Sequence, residues 1–206
     1  MSLTVNATGG SNFSPIPEGS HLAVCYMLID LGVQENKTFN NRSRKVMIGW
    51  ELPDETYESD GKQLPRTIRQ TYTASLNESS NLRRDLAAWR GRDFTQDELE
   101  EFNLRNIMGT SCLINVIHKE RNGKTYANIA SIMALPKGMP KGKIQGDPII
   151  FDLDEATLAE VDSLPEWLGT IVKSSLTYQE KLSAAFAGGE DAPQITEMED
   201  DGELPF

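Results

Sequence analysis

TSCLINVIHKERNGKTYANIASIMAL, residues 110–135, is the stretch that decides the predicted fold. Its two halves are rich in apolar and β-branched residues, and the polar segment ERNG separates them. Asn122-Gly123 within that segment is a dipeptide typical of a tight hairpin turn, because both residues tolerate a positive φ. The stretch therefore predicts two antiparallel strands joined by a two-residue turn.

Three further strands are predicted before this hairpin. Residues 21–31 are apolar at nearly every position, as in a strand that is covered on both faces. Residues 44–52 alternate between apolar and other side chains, with Gly49 as a bend or bulge. Residues 67–76 alternate again and present a threonine-rich face to solvent.

Between the third strand and the hairpin, the apolar period changes to that of a helix. Leu82, Leu86 and Trp89 fall at i, i+4 and i+7, and the glycine two residues later can end a helix there. Thr95 and Glu98 have the spacing of a capping box, which predicts the start of a second helix.

This order of elements is that of the OB-fold, a five-stranded Greek-key barrel with the arrangement β-β-β-α-β-β. We therefore predict a mainly β protein with added helices. Its predicted parts are a flexible N-terminal segment (1–19), an OB-fold domain (20–146), a C-terminal helical extension (147–187) and a disordered acidic tail (188–206).

Two amphipathic helices are predicted in the C-terminal extension. Asp154 can cap the first helix, and Pro165 can be the first residue of the second. The apolar side of the second helix holds Trp167, Leu168, Ile171 and Val172. These helices could either form an interface between subunits or cover the barrel.

The charge of the chain is divided between two parts. The formal net charge is −11, but residues 1–146 hold 18 Lys and Arg against 16 Asp and Glu, a net of +2. Residues 147–206 hold 2 bases and 15 acids, a net of −13. A near-neutral body with a strongly acidic C-terminal quarter is typical of a tail that acts in opposition to a basic surface.

Residue types that enzymes use are scarce in this sequence. With 2 His, 2 Cys and no CxxC pair, neither a zinc site nor a nucleophile–base set is predicted. His118 stands where a P-loop ending in Gly123-Lys124-Thr125 has its first glycine. The carboxylates around Asp152 could bind Mg²⁺ as in a nuclease, although acids also gather in the first turns of helices. We predict no enzymatic activity and no cofactor.

The N-terminus has no basic segment followed by an apolar run, and no segment approaches eighteen apolar residues. This pattern predicts a cytoplasmic protein without a membrane span. The free cysteines lie in apolar runs, where buried thiols are expected.

Cationic and aromatic residues occur together in the segments that border the predicted barrel. Binding of single strands without sequence preference requires cations along the phosphates and aromatic rings that stack on bases. In an OB-fold the face of strands two and three, with the 1–2 and 4–5 loops, is the binding surface. The candidate residues for single-stranded DNA are Lys37, Phe39, Arg42, Arg44, Lys45, Trp50, Tyr57, Arg66, Arg69, Tyr72, Lys119, Arg121, Lys124, Tyr126, Lys137, Lys141 and Lys143.

The aromatic candidates differ in how well their surroundings fit a stacking role. Trp50 aligns with the core-facing Val46 and Ile48, and this alignment favours a core position. For Tyr72 the core and the binding surface remain equal alternatives. Phe39 and Tyr57 lie in polar segments without an apolar period and are the best stacking candidates.

The C-terminus, EDDGELPF, resembles the tip of bacterial single-stranded DNA-binding proteins, an acidic run that ends in Pro-Phe. Asp200, Asp201, Pro205 and Phe206 match that pattern, together with the acidic Glu203. Less closely, the strand order and the hairpin sequence resemble OB-fold binding proteins of bacteriophages and prophages. The residues of the predicted partner-binding tip are Asp200, Asp201, Glu203, Leu204, Pro205 and Phe206.

The resemblance implies a protein that coats single-stranded DNA during phage replication or recombination, in the cytoplasm of a bacterial host. It also implies a homo-oligomer, such as a dimer, and a tail that recruits helicases, exonucleases, primases or recombinases. The Phe206 ring would fill an apolar pocket on such a partner, while the acids would attract a basic ridge. Two alternatives remain open: an adaptor that uses the same tail to bind proteins only, and a metal-dependent nuclease.

Overall fold

A computed structural model describes residues 14–38 and 40–187 of the chain. Strands predominate, as the sequence predicts, and helices are added between and after them. The strands are β1 (Gly19–Asn36), β2 (Asn41–Ser59), β3 (Lys62–Thr73), β4 (Ser111–Arg121), β5 (Lys124–Ala134) and β6 (Ile149–Phe151). The helices are α1 (Asn81–Arg90), α2 (Gln96–Glu100), α3 (Leu158–Asp162), α4 (Glu166–Lys173) and α5 (Leu176–Ala187), and a short 3₁₀ helix spans Leu104–Ile107.

The strands form one sheet in the order β3-β2-β1-β4-β5. Neighbours along this order are antiparallel, whereas the short β6 pairs in parallel with β1 beyond the end of the β1–β4 ladder. The end strands β3 and β5 approach each other, but within the described residues no hydrogen-bonded ladder joins them. The sheet is therefore open, and the pairing does not establish the closed barrel that the sequence predicts.

The hairpin of β4 and β5 has the predicted turn. Arg121 pairs with Lys124, so two residues make the connection. Asn122 and Gly123 have φ values of 52° and 70°, which matches a turn with positive φ at both central positions. This local prediction is confirmed.

One hydrophobic cluster lies between the inner face of the sheet and α1. Leu82, Leu86 and Trp89 are buried along one side of α1, as their helical spacing predicts. The ring centroids of Trp89 and Trp50 are 5.7 Å apart, and the Trp89 indole N–H donates to the carbonyl of Ser111 at 3.1 Å. Helix α1 is thus fixed to the sheet by both packing and a hydrogen bond.

A second cluster lies on the outer face of β1 and β2, where the C-terminal segment covers the sheet. Met27 and Met47 pack there among the side chains of Leu153, Leu168 and Val172. At Gly32 a β-carbon would lie 2.7 Å from a methyl group of Leu153, so only glycine permits this close approach to β1. Of the two roles open to this segment, the structure shows that it covers the sheet.

The C-terminal segment differs in detail from the sequence prediction. It contains three helices and β6 rather than two helices. Thr157, not Asp154, caps α3, because Thr157 and Glu160 form a reciprocal capping box. Helix α4 begins at Glu166, so Pro165 is its N-cap residue rather than its first helical residue. In the described part of the chain, no helix combines the length and the apolar character of a membrane span.

Candidate nucleic-acid interface

A groove of about 490 Å³ runs between β3 and β5. Its walls bring together five residues that the sequence singled out: Tyr57, Arg66, Arg69, Lys124 and Tyr126. These residues come from the end of β2, from β3 and from the start of β5, so they are neighbours only because the two end strands approach each other.

Aromatic rings in the groove are accessible to a ligand. Tyr126 is 49% exposed and Tyr57 is 37% exposed. Tyr26, which the sequence did not single out, lines the same groove and is half-buried, and this burial raises the pKa of its hydroxyl. Because Tyr26 lies within an apolar run of β1, the sequence did not mark it as a binding residue. The one available signal was its hydroxyl, since a tyrosine among aliphatic residues usually places that group where it finds a hydrogen-bond partner.

The groove is also cationic. Arg66, Arg69 and Lys124 line it, and no carboxylate side chain is among its lining residues in the described ranges. An Arg66 guanidinium nitrogen donates to the backbone carbonyl of Ser14, which ties the segment before β1 to this wall. The Arg69 guanidinium lies 4.0 Å above the ring of Trp167 on α4. These charges suit a polyanion that enters the groove lengthwise.

The tip of the β4–β5 hairpin extends the cationic wall. Lys119 is opposite Tyr126 in the β4–β5 register, and Arg121 is opposite Lys124. Side chains of directly opposed residues lie on the same face of a sheet, so Lys119 is beside the exposed ring of Tyr126. Both Lys119 and Arg121 are exposed.

A separate polar pocket lies further along β3 and includes Lys45. The Lys45 ammonium donates to the hydroxyl of Thr73 at 2.7 Å, and Thr71 also lines this pocket. Thr73 is four residues from Arg69, a separation of about 13 Å along a strand. Thr71 and Thr73 lie on the same face of β3 as Arg69, so a polar row connects the pocket with the groove.

Two predicted arginines are engaged in ion pairs away from the groove. Arg42 pairs with Glu35 at 3.1 Å on the β1–β2 hairpin. Arg44 contacts Asp30 at 2.5 Å and Asp154 at 2.6 Å, and the hydrogen bonds that it donates to Asp30 are the main cause of its raised pKa. In this structure Arg44 joins β2 to the C-terminal segment.

Two predicted aromatic residues are buried in the core. Trp50 is fully buried, the position that its alignment with Val46 and Ile48 favoured. Tyr72 is 3% exposed, and its hydroxyl donates to Asp85 at 3.1 Å. Burial is the main cause that raises the Tyr72 pKa. Neither ring is accessible to a base in this structure.

The three lysines after β5 lie on a segment that crosses the outer face of the sheet. Glu51 is 2% exposed, and its carboxylate accepts hydrogen bonds from the backbone N–H groups of Gln145 at 2.7 Å and Gly146 at 3.0 Å. This buried carboxylate anchors the segment. The sequence gave no means of predicting this contact. The exposed lysines on it are Lys137, Lys141 and Lys143.

The carboxylates near Asp152 form a cluster that already contains a cation. Ligand oxygens of Asp30, Asp152 and Asp154 lie within 4.8 Å of one another. The Arg44 guanidinium is bound to two of these carboxylates, and Arg105 contacts Asp152 at 3.4 Å and Glu155 at 2.7 Å. A metal ion at this place would have to displace Arg44, so the geometry does not favour the nuclease alternative.

The remaining predicted residues are placed as follows. Lys37 is exposed at the β1–β2 turn. Phe39 and the whole acidic tail, including the predicted tip Asp200–Phe206, lie outside the described residues. No protein-family model matches this chain, and no curated protein matches it significantly in sequence.

Proposed function

We propose that this protein binds single-stranded DNA, without strong sequence preference, in the groove between β3 and β5. The observation that carries this proposal is the meeting of exposed tyrosines and cations in one groove whose described walls hold no carboxylate. Tyr57 and Tyr126 supply rings for unpaired bases, while Arg66, Arg69 and Lys124 supply charge for the phosphates.

Single strands suit this surface better than duplexes do. Every base has a π-face, so stacking on a tyrosine is tolerant of sequence, but the bases of a duplex are already stacked on each other. The groove offers rings and cations rather than an exposed helix that could enter a major groove. The strand order β3-β2-β1-β4-β5, together with the approach of β3 to β5, supports an OB-type sheet as the scaffold.

We further propose that the acidic tail recruits DNA-processing enzymes during phage replication or recombination. Its support is the sequence pattern alone: an acidic run ending in Pro205-Phe206, which resembles the tips of bacterial single-stranded DNA-binding proteins. Deletion of Phe206 should abolish binding to such an enzyme and leave DNA affinity intact or higher. A loss of DNA affinity on this deletion would contradict the division of roles between body and tail.

The decisive experiment is an anisotropy titration of a labelled dT oligonucleotide at two salt concentrations. We expect a micromolar or tighter dissociation constant at low salt and a steep loss of affinity as salt rises. A duplex of the same length is the matched control probe and should bind more weakly. No affinity at low salt, for the full chain and for a chain ending at Ala187, would overturn the proposal and favour the adaptor alternative. Mg²⁺-dependent cleavage of the strand would favour the nuclease alternative.

A further inference from the structure

Trp167 is an exposed tryptophan beside the candidate DNA-binding groove. Of the three tryptophans in the chain, Trp50 and Trp89 are 0% and 6% exposed, whereas Trp167 is 39% exposed. Its ring lies 4.0 Å below the guanidinium of Arg69, which itself lines the groove. A large apolar ring is thus kept accessible at the edge of a cationic surface.

The packing of α4 does not account for this exposure. Leu168 and Val172, one helical turn apart, are the α4 side chains that are buried against the sheet. Trp167 precedes Leu168 by one position, which is about 100° around the helix, so its ring lies at the edge of the buried side and remains 39% exposed. The sequence prediction had grouped Trp167 with the apolar side; the structure places it next to Arg69 instead.

The surroundings of Trp167 combine a cation with a row of threonine hydroxyl groups. On β3, Arg69 lies on the same face as Thr67, Thr71 and Thr73, the row that connects the groove with the Lys45 pocket. The contact with Arg69 places the Trp167 ring beside the middle of this row. Tryptophan is a large stacking surface for a base, and a guanidinium next to it can contact phosphate or stack as well.

We propose that Trp167 is a base-stacking residue for single-stranded DNA and that Arg69 holds its ring in position. The C-terminal helical segment is then one wall of the DNA path as well as a cover for the sheet. The strand would run from Tyr126 and Tyr57 in the groove, past Arg69 and Trp167, toward Lys45. This inference rests on the proposed function, because it assigns a further residue to the same binding surface.

Intrinsic fluorescence tests this assignment, because Trp167 is the accessible tryptophan. Saturation of the wild-type chain with unlabelled dT oligonucleotide should quench its fluorescence, and Trp167→Phe should remove this quench while affinity stays within about threefold, since a ring is kept.

Trp167→Ala should weaken dT binding by about fivefold to 150-fold, with the slope of log affinity against log salt unchanged, because no charge is lost. Phe186→Ala is the matched control: Phe186 is 77% exposed on α5, and its loss should change affinity by less than about twofold.

The possible failures are distinguishable. If the wild-type chain binds dT but shows no quench, or if Trp167→Ala binds as tightly as Phe186→Ala, Trp167 is not a stacking residue and the proposed function still stands. If the wild-type chain does not bind dT, both the proposed function and this inference are overturned. Thermal melts of all variants identify any loss of folding, and the loss of the quench in Trp167→Phe provides a readout that does not depend on the alanine variant.

Discussion

At the scale of single residues, Tyr126 is the most exposed ring in the candidate groove, at 49%. We predict that Tyr126→Ala weakens binding of a dT oligonucleotide by about 1–3 kcal/mol, the usual contribution of one stacked base. Tyr126→Phe keeps the ring and should bind within about threefold of wild type. Anisotropy titrations of the three proteins test this prediction, and equal affinities for Tyr126→Ala and wild type would contradict it.

Lys124 and Arg42 allow a cation in the groove to be compared with a cation outside it. Both were predicted from sequence to contact DNA, but Lys124 lines the groove, whereas Arg42 pairs with Glu35. We predict that Lys124→Gln makes the negative slope of log affinity against log salt shallower by about 0.7, the value for one phosphate contact on a single strand. Arg42→Gln removes the same charge and should change the slope much less. Similar slopes for the two variants would refute the placement of the DNA in this groove.

At the scale of elements, Arg44 fixes the C-terminal segment to the sheet. Its partner Asp30 has a side chain that is 12% exposed, whereas its other partner Asp154 is 58% exposed. Arg44→Ala leaves the poorly solvated Asp30 carboxylate without its cation and with only the Gly32 N–H as a donor among the described residues, and we predict a loss of about 1–2 kcal/mol in the free energy of unfolding. Asp154→Asn should cost less than about 1 kcal/mol, because exposed pairs contribute little. Urea unfolding measures both, and an equal effect of the two variants would show that burial of Asp30 is not the cause.

Glu98 links the start of α2 to the end of α1. It accepts from the backbone N–H of Thr95 at 3.0 Å and from two nitrogens of Arg92 at 2.8 and 2.6 Å, and it also pairs with Arg90. The contact with Arg92 is the main reason that the Glu98 pKa is lowered from 4.5 to about 2. The ionised form therefore stabilises the fold above the ordinary pKa, and this contribution disappears as pH falls toward about 2.

We accordingly predict that Glu98→Gln melts at a lower temperature than wild type at neutral pH. The difference in melting temperature should be constant down to about pH 4.5 and should narrow between that pH and about 2. Thermal melts followed by circular dichroism at several pH values test this. A difference that stays constant through the acidic range would show that the carboxylate charge of Glu98 is not what stabilises α2.

At the scale of the whole molecule, charge is unevenly distributed along the chain. Residues 188–206 carry seven acids and no base, while the groove presents three cations from the described body. The tail and single-stranded DNA should therefore compete for the same surface. We predict that a chain ending at Ala187 binds dT more tightly than the full chain at low salt. The two affinities should converge as salt rises, because screening weakens the attraction of the tail. Equal affinities at low salt would show that the tail does not compete.

The strands and helices with a regular local pattern were the most predictable part of the fold. The alternation in β2 and β3, the two-residue turn at Asn122-Gly123 and the apolar stripe of α1 are local patterns with a fixed period, so the sequence alone identifies them. The capping box at Thr95 and Glu98 was equally readable, because it depends on a spacing of three residues.

The residue types of the candidate groove were predictable from the sequence, but which residues line it was not. Tyr57, Arg66, Arg69, Lys124 and Tyr126 were all singled out, yet so were Arg42, Arg44, Trp50 and Tyr72, which the structure places in ion pairs or in the core. The sequence does not show whether an arginine will contact a phosphate or a carboxylate in the folded protein. Arg44 illustrates this, since its partner Asp154 is 110 residues away along the chain.

By itself, then, the sequence determined the periodic elements, the separation of an acidic tail from a near-neutral body, and the supply of rings and cations from which the groove draws. Only the tertiary structure decided which of those rings stay exposed, that β3 and β5 approach without pairing, and that α4 brings Trp167 over to Arg69. The physical reason is the distance along the chain over which each kind of contact acts. Helix and strand periods, turns and caps act over a few residues, whereas a groove depends on contacts between segments that are distant in sequence and meet only when apolar faces are buried together.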